Sequence, residues 1–379
     1  MHRRRSLLSA TITSALWLAL LSSYVRAETF EPQSVPSQAQ EDDQLVIVAV
    51  GDIMMGSVHP VNKLPPEDGK GIFDAVLENL KTGDIIFGNL EGPLVDHGVP
   101  EKCTRKLPQC YEFITPTRYA DHLKDAGFNV VNIANNHTFD CGVSGVESTV
   151  NTLRAVGIEP AGGATIARML KKGRRVAVVS FSFTLSDYAY SMLDVDTAKQ
   201  IVKGLKQEND IVIVSFHGGN EGRSAMHTLD VNEKFLGEHR GNVVKFSRSV
   251  IDAGADLVLG HGPHVLRALE VHRGKLIVYS LGNFLTYKMF NVRGVNGLSI
   301  ILTLRIDSSS GDFIGGRAVS IKLTKDGIPQ IDPGHQGAVL LKQLTAADIK
   351  NGVLVVDERS GALLPARQKP SSFTQNSER

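Results

Sequence analysis

The chain has 379 residues, of which 21% are charged, with 41 Lys and Arg against 40 Asp and Glu for a formal net charge of +1. That length can bury a large core in one big or two modest domains. The near balance of charge excludes the bulk field that would draw a protein to nucleic acid or to an anionic membrane surface.

The first feature along the chain is a targeting pattern. Arg3, Arg4 and Arg5 precede an apolar run from Leu7 to Leu21 that closes on Val25-Arg26-Ala27, small residues at the −3 and −1 positions of a cleavage site. Hydroxyl side chains interrupt the run, which falls short of the continuous apolar span a membrane helix requires. Residues 1–27 therefore read as a cleavable signal peptide and 28–44 as a polar, Pro-containing linker. The expected location is periplasmic or secreted, with no stable membrane span after cleavage and a membrane anchor if the segment is retained.

Seven short, continuously apolar runs follow: LVIVAV (45–50), DIIFGN (84–89), NVVNIA (129–134), RVAVVSFS (175–182), DIVIVSF (210–216), ADLVLG (255–260) and KLIVYSL (275–281). Such runs suit strands buried on both faces. Helical patterns lie between them. In TPTRYADHLKDAG, Thr115 is the expected N-cap, Pro116 the first helical residue and Gly127 the terminator. VESTVNTLRAVG and VVKFSRSVIDAG end in the same way, at Gly157 and Gly254. Strand alternating with helix marks βαβ units and an α/β fold. Near the end, LSIILTLRID and AVSIKLTKDG flank SSSGD as an antiparallel hairpin, and the tail from about residue 366 is polar and expected to be disordered.

Cys103 and Cys110 bracket a loop short enough for a disulfide in an oxidising compartment, leaving Cys141 as a reactive thiol near His137 or a small buried side chain.

The strand ends carry the chemistry. LVIVAV runs into Gly51-Asp52, IIFG into Asn89-Leu90-Glu91, NVVNIA into Asn135-Asn136-His137, IVIVSF into His217-Gly218-Gly219-Asn220-Glu221, DLVLG into His261-Gly262-Pro263-His264, and LIVYSL into Gly282-Asn283. In open α/β sheets, ligands bind beyond the carboxyl ends of the strands. Taken singly, an Asp after a strand is ordinarily a turn or cap residue, and a His there a satisfied core residue. Taken together, carboxylate, amide and imidazole at successive strand ends form the oxygen and nitrogen donor set of Zn²⁺, Mn²⁺ or Fe²⁺, one or two ions, as in dinuclear hydrolases.

Five stretches, VAVGDIMMGS, FGNLEGPL, NVVNIANNHTFDCG, FHGGNEG and DAGADLVLGHGPHVLRALEVHRGKLIVYSLGNFL, closely resemble the bacterial capsule-synthesis (CapA-type, poly-γ-glutamate synthesis) family, itself similar to the calcineurin-like metallophosphatases. The resemblance implies a four-layer α/β/β/α sandwich over residues 45–335, with 336–379 as a C-terminal extension. It implies Asp52, Glu91, Asn136, His217, His261 and His264 as metal ligands. Asn89 is an alternative to Glu91, and His137 is the general acid acting with Asp52. It further implies an anionic polymer or phosphoester substrate, and components of a capsule or polyglutamate synthase as partners. Asn89, Asn135, Glu221, Arg223, Arg240 and Asn283 are candidate substrate contacts. Glu238 and Arg267 lie in or beside the same loops, and surface charge or helix capping is the alternative for the charged residues among them.

The pattern also departs from the phosphatases. Met54 stands where their first motif has His, Asn-Leu-Glu replaces a terminal Asp, and Gly262 separates His261 from Pro263. Two functions follow as expectations. One is a hydrolase using metal-activated water; the other is a non-catalytic accessory that binds or guides an anionic polymer.

Overall fold

The computed structural model describes residues 43–103, 110–163, 165–184, 189–350 and 354–365. The expected signal peptide, almost all of the linker and the polar tail lie outside the described residues. In chain order the elements begin with β1 (Gln44–Met54), α1 (Leu77–Leu80), β2 (Ile85–Leu90), α2 (Ala120–Asp125), β3 (Val130–Asn132) and α3 (Gly142–Ala155). They continue with β4 (Glu159–Ala161), β5 (Ala167–Lys171), β6 (Arg174–Ser182), β7 (Tyr190–Ser191), α4 (Val195–Glu208) and β8 (Ile211–His217). A small ribbon, β9 (Glu233–Phe235) and β10 (Glu238–Gly241), precedes α5 (Val243–Asp252), β11 (Leu257–His261), β12 (Leu269–His272), β13 (Lys275–Val278) and β14 (Asn283–Thr286). The last are β15 (Leu298–Asp307), β16 (Phe313–Leu323), β17 (Pro329–Ile331), α6 (Gln336–Asp348), β18 (Leu354–Val356) and β19 (Ala362–Pro365).

These strands form two large sheets. The first runs β18-β19-β16-β15-β1-β2-β3-β4, with β14 also on β1 and β17 on β16; the second runs β12-β13-β11-β8-β6-β5, with β7 on β6. Within them β1 to β4 are parallel, as are β6, β8, β11 and β13. Their inner faces share one core, in which Ile47, Phe87 and Val130 of the first sheet meet Val178, Ile213 and Leu259 of the second. The outer face of the first sheet packs Val48 and Val131 against Leu123 of α2 and Leu153 of α3. That of the second packs Val179 and Val214 against Val202 of α4 and Phe246 of α5. This is the α/β/β/α sandwich. All seven apolar runs lie on strands, and β2, β8 and β11 are buried along their whole length, because helices cover both outer faces.

Two details differ from the sequence-based expectation. Thr115 does not cap α2; its hydroxyl donates to the Gly56 carbonyl at 2.8 Å, and a single 3₁₀ turn, Thr117–Tyr119, leads into the helix. Gly127, Gly157 and Gly254 do terminate their helices in the left-handed region. The stretch after residue 335 continues into the same body: α6 buries Leu341 and Leu344 in the inner core, and β19 pairs with β16. Among the described residues no helix is long and apolar enough to cross a membrane.

Candidate metal centre

A break in the alternation of β1 aims Asp52. Leu45, Ile47 and Ala49 face the second sheet while Val48 and Val50 face the helices, so strict alternation would turn Asp52 toward the helices. The register shifts on both sides of Asp52, and Ile53 instead joins the helix-facing core. The irregularity thereby turns Asp52 to the inner face, as β-bulges beside functional sites do. Gly51 makes it feasible, because a Cβ there would sit 1.9 Å from the Gly282 carbonyl oxygen.

Neighbouring strand ends then lock the carboxylates. Asp52 pairs in register with Asn89 and Asn283, and Asn89 with Asn132. Asn89 Nδ2 donates to Asp52 Oδ1 at 2.8 Å and lies 3.4 Å from Glu91 Oε2; its Oδ1 accepts from Asn132 (2.8 Å) and Asn135 (3.1 Å). Asn135 also donates to the Leu90 carbonyl and accepts from the His137 amide. Asn283 binds His264 and the Asn296 carbonyl. The polar atoms of Asn89, Asn135 and Asn283 are thus engaged by protein, which suits holding Asp52, Glu91 and His264 in place rather than contacting substrate.

The second sheet contributes imidazoles. His217 on β8 and His261 on β11 are in register, both fully buried. His261 Nδ1 lies 3.2 Å from Asp52 Oδ1, joining the two sheet edges, while its Nε2 has no partner. Neither ring nitrogen of His217 has one among the described residues. His264, at φ 56° in the following loop, places Nδ1 2.9 Å from Asp52 Oδ2 and Nε2 3.4 Å from Glu91 Oε1, without hydrogen-bond geometry in the second contact.

Asp52, Glu91 and His217 each offer a ligand atom, all within 4.8 Å of one another. Buried polar atoms left unpaired cost about 1–3 kcal/mol each, and this cluster contains four: Glu91 Oε1, His261 Nε2 and both nitrogens of His217. A cation would engage Glu91 and one nitrogen of His217, and the donor set fits Zn²⁺, Mn²⁺ or Fe²⁺. Asn136 Oδ1 is a further buried, unpartnered oxygen.

Electrostatics sort the donors. Burial raises the Asp52 pKa, but hydrogen bonds with His261 and His264 outweigh it and hold the carboxyl well below the usual range. Glu91 is pushed up to about 8 by burial, with the charges of Asp52 and Glu221 adding to it. Burial holds His217 neutral, well below the ordinary imidazole value. Burial opposes charge on His264, yet the flanking Glu91 and Asp52 carboxylates raise it.

His137 sits in a separate clamp. Its Nδ1 is 2.7 Å from Asp140 Oδ2, which also accepts from the Phe113 amide at 2.7 Å. The Phe113 ring lies 4.2 Å from the imidazole. Lys102 Nζ donates to the Asn136 carbonyl at 2.9 Å and lies 3.4 Å from Asp140 Oδ1. Cys103 and Cys110 form a disulfide, which ties the segment bearing Lys102 to the one bearing Phe113. Burial, with Lys102 adding to it, lowers His137 to about 4 against the pull of Asp140. At neutral pH it is therefore an acceptor and not a standing acid, which alters the general-acid expectation. The sequence motifs leave Asp140 and Lys102 without a role; the Asp three residues after His137 is the one signal that points to this clamp. Cys141 is buried with its thiol pushed up to about 12, an unreactive core residue.

The charged loop residues divide. Arg267 is fully buried and consumed by Glu233 (2.7 and 2.8 Å) and the Ala225 carbonyl, so it is structural. Arg223 is exposed in a short turn. Arg240 is 2% exposed and lies 2.9 Å from both Glu221 and Glu238.

Two facing sheets between helices thus gather carboxylate, amide and imidazole at their carboxyl ends. The family model described as bacterial capsule synthesis protein PGA_cap matches residues 46–288, and the chain belongs to that family. The capsule biosynthesis protein CapA of Bacillus anthracis is 27% identical over 71% of this chain and 67% of its own length. The PGA biosynthesis protein CapA of Bacillus subtilis (strain 168) is 31% identical over 64% of this chain and 63% of its own. The chain thus spans about two thirds of these relatives. A solved structure of a novel phosphatase from Mycoplasma pneumoniae aligns over 77% of this chain and 95% of its own, at 13% identity and a TM-score of 0.45.

Proposed function

We propose that this capsule-synthesis family member is an exported, metal-dependent hydrolase that acts on a phosphoester or an amide-linked anionic polymer during capsule or poly-γ-glutamate synthesis, alongside components of the synthase. The observation that carries this reading is the buried Asp52–Glu91–His217 group, with both His217 nitrogens unpaired. These three residues would hold the ion, with His261, Asn136 and His264 as the adjoining donors. A divalent ion supplies Lewis acidity toward phosphoryl or carbonyl oxygen and a nucleophile from water near neutral pH. The Asn132–Asn89 and Asn135–Asn89 bonds orient Asp52 and Glu91. Asp140 fixes the His137 tautomer, so that its Nε2 can take up a proton and hand it to the leaving group.

One observation favours the accessory reading instead. Met54, standing at the phosphatases' first-motif His, is buried against Gly92, so that position offers no ligand. Metal analysis of the purified protein, paired with phosphoesterase and γ-glutamyl hydrolase assays in Mn²⁺ or Zn²⁺, separates the two. Bound metal with turnover that Asp52→Asn abolishes supports the hydrolase; bound metal without turnover of either substrate class leaves the accessory role. A protein that binds no divalent ion overturns the metal-centre reading altogether.

A further inference from the structure

Arg240 is placed for more than an ion pair. Its NH2 nitrogen serves both Glu221 and Glu238, while Nε and NH1 are buried with no partner among the described residues. Three N–H groups of one guanidinium are therefore open. The guanidinium carbon lies 3.9 Å from the Phe183 ring centre and 5.3 Å from that of Phe235, a stack that fixes its plane. The Phe183 ring is also 6.1 Å from the His217 ring, so the open donors of Arg240 and the open nitrogens of His217 share one aromatic wall. The backbone seals this arrangement: the Arg240 carbonyl accepts from the Gly219 amide at 2.9 Å, and a Cβ at Gly218 would come within 2.8 Å of the same oxygen. The ribbon of β9 and β10 is thus pressed onto the turn that follows His217.

Charge decides what enters. One guanidinium between two carboxylates leaves a local excess of one negative charge, which by itself repels an anion. A divalent cation in the adjacent Asp52–Glu91–His217 group would add two positive charges for the one proton that Glu91 gives up, moving the balance one charge toward the positive. The Glu221 carboxylate already acts on Glu91 and His264, and the Arg240 charge on His217, so the two places lie in one electrostatic neighbourhood.

We propose that Arg240 Nε and NH1 form an oxyanion subsite that receives a phosphoryl or carboxylate oxygen of the substrate, and that the ion at Asp52, Glu91 and His217 strengthens its occupancy. The proposal deepens the metal-dependent reading above and rests on it only for the strengthening. Two probes distinguish the sources of the oxyanion: inorganic phosphate for a phosphoester, and glutarate for a glutamyl side chain.

Calorimetric titration of each probe into Mn²⁺-loaded and chelator-treated protein is the test. Loaded wild type is expected to bind one probe at one equivalent, and Arg240→Met to bind it roughly 10- to 100-fold more weakly, as loss of charge-assisted hydrogen bonds implies. Arg240→Lys falls between, since an ammonium offers no planar fork. Chelation weakens binding in wild type, and by reciprocity the probe tightens Mn²⁺ by the same factor. Equal affinity in wild type and folded Arg240→Met, or no binding of either probe to wild type, overturns the subsite. Should Arg240→Met not fold, the Arg240 Nε–H resonance of ¹⁵N-arginine-labelled protein, assigned with Arg240→Lys, replaces it. A shift at probe saturation supports the subsite, and an unmoved resonance overturns it. If Mn²⁺ does not bind, the hydrolase reading falls, while Arg240-dependent binding of a probe to that same protein still sustains the subsite.

Discussion

The two sheet edges that meet at the centre are built on opposite plans. On the first sheet, Asn132, Asn135 and Asn89 close a chain of amide hydrogen bonds that ends on Asp52. On the second, His217 has both ring nitrogens unpaired and His261 has one. A closed polar network rigidifies, whereas open buried donors and acceptors are costly unless something fills them. The amide edge therefore holds Asp52 and Glu91 in place, while the imidazole edge keeps ring nitrogens unengaged.

The largest expected effect comes from breaking the join. Asp52→Asn removes a carboxylate that both edges contact, and metal affinity should fall by roughly 100-fold or more, beyond the 10–100-fold typical of residues that only orient ligands; a competition titration against a chelating dye measures it. Unchanged affinity would remove Asp52 from the site.

His137 is the closed edge's own imidazole. Its value in the fold, about 4, lies below the ordinary 6.5, so the unfolded chain binds the proton first as pH falls. The stability it contributes is present above pH 6.5 and lost as pH falls through 4, on the order of 3 kcal/mol in all. Urea titrations across that window should show the acid loss shrinking in His137→Asn, and an identical slope in the variant counts against the assignment.

The two plans also predict opposite signs. In chelator-treated protein, Asn89→Ala should destabilise by about 1–3 kcal/mol because it removes a donor to Asp52 and the acceptor shared by Asn132 and Asn135. His217→Phe should hold or raise stability by about 1 kcal/mol, since it replaces an unpaired imidazole with hydrocarbon. Equal destabilisation by both would erase the contrast.

The smallest effect is a slope. Glu91 must lose its proton to bind a cation, so apparent metal affinity should rise with pH up to about 8 and level off above it. Glu91→Gln should bind more weakly and lose that part of the slope.

Much of the scaffold was legible in the sequence. The seven apolar runs located the parallel strands because two-sided burial leaves a continuous signature, and the polar residues after them marked the edge where Asp52, Glu91 and His217 converge. Partnership was not legible. Arg267 and Arg240 look alike in sequence, yet Glu233 consumes one while the other keeps open donors. Asn89 and Asn135 read as substrate contacts because residue type shows capacity to bond but not which distant group takes it up. The irregularity that aims Asp52 was likewise hidden, since register is a property of the paired strands Gly51 sits among.

The covalent bond between Cys103 and Cys110 gives the His137 clamp a dependence on its surroundings. It joins the two arms that grip Asp140, one through Lys102 and the other through the Phe113 amide. Thiol reductants would sever that tie without touching any donor atom of the cluster. The His137 clamp would then lose its alignment under conditions that leave Asp52, Glu91 and His217 in place, so that the redox poise of the medium alone separates the two.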